Sequence, residues 1–589
     1  MFEELYSATR KIDVCDKKSK TNQKIATTIE ELILLKERVI DCIVWYDGKR
    51  WQACIDTSIL NENETWFSKL ENSTILTNYD NKKEIAYFID DLVYCINVFD
   101  DGNLLQLQCP PARHAYVVSQ VAAGYFQDKP SECNGLATGS QIVSIHKGIS
   151  EEKTLICLKK CIELSVNIVN ISTRLTLTTA VVEAIKKMVE EHGIIVIHAA
   201  SNEGPLYSSI PEQCCTVSDE IFIIGSVCTD EMKKKVSSFE NANSIKNYSS
   251  KGPFMSSGAR GIDFVAPGTA ITDIPKWYPK KNDVSHGTSF AAPNVAGSIA
   301  CLLSALKANG ISYSPAMIKM ALANTAFLPN GANKLEFGYG IIQINDAFEF
   351  IKKFHNFLPQ KLIVPFSLMN EKHEKGILFV KSDEILTKNY VVNIKPEFDT
   401  KWILKCTPND QNFVSHCNTV SVNNSFNVKI DANLLKEGSI NYAEIYGLDS
   451  LNPSIGPLFY LPITVICPAH IYKEKIITVK PDPPLHLFIK KQILSDDSVQ
   501  RCCIKITALN NDKKESAIVF GYLKEECCLG NPNLEIDEHI LKFEEKKNFN
   551  AVVFDFKHFK EDFFEICFYS LESTSSNYKL EIDFPKVVV

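Results

Sequence analysis

Between residues 140 and 350 the chain alternates short apolar runs with longer amphipathic ones, and this alternation narrows the fold more than any other feature. The runs at 142–145, 166–171, 194–199 and 221–227 have the length and β-branched content of strands. Between them, 152–164 and 178–191 carry apolar residues at helical spacing. Strands that alternate with helices form a parallel sheet with helices covering its faces. In such sheets chemistry sits beyond the carboxyl ends of the strands. The pattern therefore predicts an α/β domain and directs attention to the residues that follow each strand.

The flanks read differently, and 589 residues exceed what one hydrophobic core holds. A charged, helix-like stretch at 28–38 gives way to two aromatic-rich runs within 41–56, placed around Asp47-Gly48. Asp-Gly favours the tight turns whose twist matches a hairpin. Beyond about residue 354, short alternating runs such as 440–446 and 458–465 predict antiparallel sheets. The proline-rich stretch 481–484 predicts a break between two all-β modules. The resulting division is a mixed α/β insert at 1–110, an α/β domain at 111–352, and β modules at 353–470 and 471–589.

The strongest chemical signal is HGTSFAAPNVAGSIACLLSALK, which begins at His286. A turn of small residues, Gly287-Thr288-Ser289, opens directly into an apolar helix. Ser289 thus sits at a helix amino terminus, where unpaired N–H groups and the helix dipole favour negative charge. A serine that attacks a carbonyl creates an oxyanion, and this is a place where one would be stabilised. A second signal is GIIVIHAASNEGP at 193–205, a buried strand ending in small residues and Asn202. Taken singly, Ser289 also reads as a helix cap and Asn202 as a residue closing a loop.

Together these strings resemble the subtilase family. The first resembles its G-T-S-x-A-x-P nucleophile motif, and the second resembles the segment that presents an oxyanion-hole asparagine. RHAYVVSQVAAGYF, from Arg113, is similar to the family's H-G-T-H-V-A-x-x-A-A-G stretch, with Ala115-Tyr116-Val117 in place of Gly-Thr-His. The resemblance implies a subtilisin-like α/β fold. It also implies Ser289 as nucleophile, His114 as general base and Asn202 as oxyanion donor, in an acyl-enzyme route that needs no metal or organic cofactor. Of the other histidines, His192 and His198 read as helix-end or strand residues, and His286 lies too close to Ser289 on one turn to be its base.

The family's third catalytic residue is an Asp that ends an apolar strand upstream of the His. Asp56, in ACIDTSI, is the nearest look-alike. WYDGKRWQACID, however, is similar to an insert that the tripeptidyl peptidase II family carries between its Asp and His, which would put the catalytic Asp before Met1. Losing that strand would leave an open sheet edge and lower stability. FDDGNLLQL, YSSKGPF, DFVAPG, GYGIIQINDAF and GPLFYLPITV resemble the same family. That family releases tripeptides from the amino termini of oligopeptides and forms large homo-oligomers through a helical-repeat region that follows its β modules. It holds the substrate's ammonium with glutamates, one after a Ser-Tyr-Gly stretch; here the equivalent reads Ser172-Thr173-Arg174-Leu175. The resemblance implies a peptidase acting on oligopeptides. The departures imply, as the alternative, a catalytically dead subtilase fold with a binding or structural role.

Composition excludes other classes. A net charge of −8, from 63 basic and 71 acidic residues, argues against a nucleic-acid binder. The first residues are charged and carry no apolar leader, so no secretory signal is expected. The longest apolar stretches, 193–200 and 295–308, are too short to span a bilayer. Twenty cysteines without a leader read as thiols in a reducing cytoplasm, and the absence of paired Cys-x-x-Cys motifs argues against a structural zinc site.

Overall fold

The computed structural model describes residues 42–55, 74–108, 114–272, 284–358, 366–490 and 501–509, with short interruptions, and within 519–583 the strands named below. The helix expected at 28–38 and the look-alike Asp56 lie outside the described residues. The chain forms two compact units, residues 1–117 with 271–283, and residues 118–270 with 284–589.

In the first unit, β1 (Cys42–Tyr46) and β2 (Trp51–Ile55) form the expected antiparallel hairpin, and β3 (Leu76–Thr77) pairs with β2. The turn is set by Asp47, whose carboxylate accepts the N–H groups of Lys49 and Arg50, each at 2.8 Å. Gly48 takes the positive φ (91°) that the turn requires. A second antiparallel sheet holds β4 (Ala86–Ile89), β5 (Leu92–Phe99) and β6 (Leu104–Gln108). Ala53, Ile55, Leu76, Tyr94, Ile96 and Val98 fill the core between these strands.

In the second unit the alternating region folds as the pattern predicts. Its elements are α1 (His114–Ala123, which begins in the first unit), α2 (Glu151–Glu163), β7 (Ile168–Ile171), α3 (Thr179–Glu190), β8 (Ile195–Ala199), β9 (Ile221–Cys228), β10 (Ser244–Ile245) and β11 (Phe264–Pro267). β7, β8, β9 and β11 run parallel in that order, and β10 pairs antiparallel with the end of β9. Ser150 and Thr178 cap α2 and α3 by accepting the N–H groups of Lys153 and Val181. The expected strand at 142–145 does not form. Ile142 and Val143 are about half exposed, and β7 pairs only with β8 among the described residues. An apolar run becomes a strand only when a neighbour accepts its backbone hydrogen bonds.

After a short pair, β12 (Thr269–Ile271) and β13 (Val284–His286), come α4 (Thr288–Ala308), α5 (Pro315–Thr325) and α6 (Ile344–Phe354). The period-two geometry of a strand divides the core. Val196 and Ile223 face α2 and α3, while Ile195, Ile197, Phe222 and Ile224 face α4, α5 and α6. By length and composition α4 is a candidate to cross a bilayer, longer than the sequence reading expected. Here it lies against the sheet, with Ala291, Val295, Ile299, Leu302 and Leu306 fully buried. Each of its larger apolar side chains contributes about 1.5–3 kcal/mol by that burial. Gly297 allows close packing against α1, since a Cβ there would come within 2.6 Å of the Ala122 carbonyl oxygen.

Two pairs of antiparallel sheets follow. The first holds β14 (Phe366–Leu368), β15 (Ile377–Val380), β16 (Thr387–Ile394), β17 (Trp402–Thr407), β18 (Val414–His416), β19 (Thr419–Val420), β20 (Ser425–Asp431), β21 (Ser439–Asp449) and β22 (Pro457–Cys467), packed around Trp402, Phe459 and Val428. One exception to the antiparallel pattern is β15, which pairs parallel to β22. The second holds β23 (Lys475–Val479), β24 (Leu485–Lys490), β25 (Arg501–Ala508), β26 (Val519–Leu523), β27 (Glu538–Leu541), β28 (Phe549–Asp555), β29 (Phe563–Phe568) and β30 (Ser576–Asp583). The proline-rich stretch does not separate the two pairs. It joins β23, which pairs with β30, to β24, which pairs with β29 in the facing sheet. Prolines, lacking an N–H, end one ladder and let the chain cross to the other.

The first pair of sheets is bound to the α/β region through Glu444 on β21, which is fully buried. Its carboxylate accepts from Arg260 Nη1 at 2.6 Å and from Tyr442 Oη at 2.9 Å, and it pairs with Lys334. Burial pushes the carboxyl up, but Lys334 and Arg260 outweigh that and hold it below the usual range. Removing Glu444 strands two cations in a dry interface. Glu444→Ala is expected to destabilise the chain by roughly 3–5 kcal/mol, read as a lowered urea midpoint, with Glu444→Gln less affected. Equal midpoints for wild type and Glu444→Ala would show that water reaches this pair. Because the folded pKa is depressed, the contribution is present above the ordinary value of 4.5 and is lost as pH falls through the lowered one.

Candidate active site

Ser289 is the second residue of α4, half-buried at the carboxyl ends of β7 and β8. The chain reaches it through Gly287, whose φ of 152° suits glycine. The Gly287 N–H donates to the Gly268 carbonyl at 3.0 Å and to Tyr248 Oη at 3.1 Å. Tyr248 Oη in turn donates to Gly268 O at 3.1 Å and lies 2.8 Å from Ser226 Oγ on β9. One phenol therefore ties the nucleophile turn to the sheet and to the loop after β11.

Asn202 follows β8, directly after Ser201, which holds a positive φ of 82°. A non-glycine residue there stores about 1–3 kcal/mol of strain and occurs where surrounding bonds fix it. The Ser201 carbonyl accepts from Ser250 N at 3.2 Å and from Thr288 Oγ1 at 3.2 Å. Asn202 Oδ1 accepts from Thr288 N at 2.9 Å and Thr288 Oγ1 at 3.0 Å. These two bonds fix the amide plane and leave its NH2 pointing away from Thr288. A Cβ on Gly287 would sit 3.5 Å from Asn202 Nδ2, so Gly287 keeps the space beside that donor clear.

Ser172, the first residue after β7, completes the cluster. Ser289 Oγ donates to the Ser172 carbonyl at 3.3 Å, while Ser172 Oγ donates to the Ser289 carbonyl at 2.8 Å and accepts from Asn170 Nδ2 at 3.0 Å. The structure thus brings Ser289 and Asn202 together, with Thr288, Ser172 and Tyr248 holding them. A hydroxyl and a side-chain amide thus stand at the amino terminus of one helix, and these are group types suited to attack on a carbonyl and capture of an oxyanion.

His114 opens α1 and is solvent-accessible at its edge. Surrounding protein desolvates the ring enough to lower its pKa below the usual 6.5, which favours the neutral form. His286 lies on the turn with Ser289, exposed, with Nδ1 3.0 Å from Thr269 Oγ1, and His198 is buried in β8. Sequence reasoning missed the work of Thr288, Ser172 and Tyr248. Thr288 was visible inside the nucleophile string. Tyr248, in YSSKGPF, carried no signal of its link to Gly287, which lies 39 residues away.

Residues 53–340 match the subtilase family, and residues 366–466 match the family described as tripeptidyl-peptidase II, first Ig-like domain. A tripeptidyl-peptidase 2 of Caenorhabditis elegans is 30% identical over 472 residues, covering 74% of this chain and 33% of the relative. One from Arabidopsis thaliana is 28% identical over 496 residues, covering 78% of this chain and 35% of the relative. The chain therefore spans about a third of the length of these relatives. A crystal structure of tripeptidyl peptidase 2 shares the fold with a TM-score of 0.70 at 19% identity, covering 97% of this chain and 48% of the other. Fold and site define a subtilisin-like architecture, and residues 53–340 of the chain belong to the subtilase family. Within it, the chain is of the tripeptidyl peptidase II type, since the matches run through both the α/β region and the β-sheets after it.

Tyr248→Phe keeps the ring and removes the oxygen that receives the Gly287 N–H. Loss of such a bond is worth about 1 kcal/mol, so the rate at which a fluorophosphonate captures Ser289 is expected to fall about fivefold, with only a slightly lowered melting temperature. An unchanged rate would show that Gly268 alone suffices to hold the turn.

Proposed function

We propose that this chain is a serine peptidase that cleaves oligopeptides through an acyl-enzyme and, as the names of its relatives suggest, releases tripeptides. What supports this reading is the bond of Asn202 Oδ1 to the Thr288 N–H, which holds the Asn202 amide against the residue next to Ser289 and leaves its NH2 unused by Thr288. Ser289 Oγ attacks the scissile carbonyl. His114 takes its proton and returns it to the leaving amine, and Asn202 with the Ser289 N–H receives the negative oxygen. The third triad residue is unassigned, with Asp56 the look-alike. The chemistry calls for no metal or organic cofactor. The division at 110, 352 and 470 is retained as the domain proposal. A cytoplasmic location is proposed from the lack of paired cysteines among the described residues. Assembly into a homo-oligomer is an implication of the family alone.

The purified chain is expected to react with a fluorophosphonate, and Ser289→Ala and His114→Ala to lose that labelling. Asn202→Ala is expected to lower turnover about 100- to 1000-fold, a figure that belongs to a subtilisin's oxyanion-hole asparagine and is carried over to this chain. The base must be neutral to accept a proton, and partial desolvation by the surrounding protein lowers the pKa of His114. Labelling should therefore rise with pH through a midpoint below 6.5 and stay level above it. A midpoint above 7 would remove His114 from the role. A folded chain that never labels would favour the dead-enzyme alternative, to which the altered residues Ala115-Tyr116-Val117 already point.

A further inference from the structure

The Ser289 carbonyl is denied its ordinary helical partner. In an α-helix the carbonyl of residue 289 would accept the N–H of residue 293, but residue 293 is Pro, which has none. That oxygen instead accepts from Ser172 Oγ, at 2.8 Å. A hydroxyl has one proton, and this one is committed to Ser289, so any other group bonded to the Ser172 oxygen must donate. Asn170 Nδ2 does so, at 3.0 Å. The three groups form a one-way relay from the Asn170 amide, through the Ser172 hydroxyl, to the Ser289 carbonyl. Asn170 stands within β7, and its register partner Ile197 faces α4. The strand around it reads Ile-Val-Asn-Ile. Asn170 Oδ1 is buried and has no hydrogen-bond partner among the described residues. A half-satisfied amide costs stability that an apolar side chain would not. Its satisfied half is the relay.

Resting on the peptidase reading, we propose that Asn170 is a positioning residue for the nucleophile: acting through Ser172, it supports the hydrogen bond that Pro293 withholds from the Ser289 backbone. Asn170 itself touches no reacting atom. Without its NH2 the Ser172 hydroxyl turns freely, and its proton is no longer reserved for Ser289. Residue 289 is held by Ser172 at two points, since Ser289 Oγ also donates to the Ser172 carbonyl at 3.3 Å. Loosening one point therefore lets Oγ drift from its place. Pro293 acquires a physical role in the same account. It stops the helix from claiming the carbonyl, so the sheet sets where the nucleophile stands.

The test uses the full chain with Asn170→Leu and Ser172→Ala, singly, together, and each with Pro293→Ala. The readouts are the rate of fluorophosphonate capture and the urea midpoint. Each single change is expected to slow capture about fivefold, the size of one hydrogen bond, and the two together no further, because they act in series. Asn170→Leu should not lower the urea midpoint, whereas a residue needed only for folding would lower it. Pro293→Ala gives the helix back an N–H, so alongside it each change should alter capture by less than about twofold. The inference is overturned if Asn170→Leu alone stays within about twofold of wild type, or if the two changes together slow capture about 25-fold, as independent groups would. It is overturned equally if both fivefold losses persist alongside Pro293→Ala. Should Pro293→Ala fail to fold, the series comparison decides alone. A wild-type chain that folds but never labels counts against the peptidase reading, and the relay is then judged by stability. Ser172→Ala should lower the urea midpoint less alongside Asn170→Leu or Pro293→Ala than by itself, and an equal loss in all three overturns the relay.

Discussion

The amino terminus of α4 has N–H groups with no acceptor in their own helix, and the site depends on where one of them finds a partner. Thr288 N–H turns to Asn202 Oδ1. That bond satisfies a buried donor, since Thr288 is fully buried, and at the same time fixes which end of the Asn202 amide is left to act. A helix cap and the proposed oxyanion donor are thereby one side chain. The strain at Ser201 is consistent with this double duty. An unstrained loop would lower the local energy by about 1–3 kcal/mol but would aim the residue after it elsewhere. Ser172 performs a similar service on the other flank, exchanging hydrogen bonds with Ser289 in both directions. Parallel strands make the convergence possible, because β7 and β8 end side by side and deliver Ser172 and Asn202 to the same edge of the sheet.

Much of this was legible in the sequence, for reasons of range. Strand and helix periodicity is local, so β7, β8, β9, α2 and α3 were found within two or three residues of their ends. Ser289 and Asn202 stand out in the sequence because their strings are long and each residue in them has a local role. The stretch at 142–145 was misread because apolarity is local but strand pairing is not. The prolines before β24 were misread for the same reason: they end a ladder in either case, and which sheet the chain enters next is decided by β29 and β30, far along the chain. The buried charges were illegible altogether. Arg260 meets Glu444 across 184 residues, and neither has a neighbour in sequence that announces the other.

Those buried charges also govern how the β-sheets relate to the site. Residues 201–209 run alongside 248–252, joined by Gly204 N to Tyr248 O, Ser208 N to Gly252 O and Ser209 N to Lys251 O. The first of these strips carries Asn202 and the second Tyr248, so the oxyanion donor and the anchor of the nucleophile turn belong to one hydrogen-bonded body. Tyr207 plugs that body into the second pair of sheets. Its N–H donates to both oxygens of Glu565 on β29, at 3.2 and 3.1 Å, and its ring lies 4.6 Å from that of His486 on β24. Its hydroxyl donates to Glu336 at 2.7 Å, where Lys251 also binds. Burial pushes the Glu336 carboxyl up, but Lys251 and His486 outweigh that and keep it below the usual range.

A carboxylate buried against a backbone N–H tolerates little displacement, because moving it leaves both groups dry and unpaired. Glu565 is 358 residues from Tyr207 in sequence, yet five residues separate Tyr207 from Asn202. The second pair of sheets therefore acts on the oxyanion loop through a joint that is strong when closed and unfavourable when partly open. A weaker, solvent-exposed joint would let the sheets move without disturbing Asn202. The contrast with the ion pair of Arg174 and Glu203 is one of burial. That pair is exposed, where solvent screens it and holds its partners weakly. In the interior the same kinds of charge fix one geometry, and here the geometry they fix includes the loop on which oxyanion capture would depend.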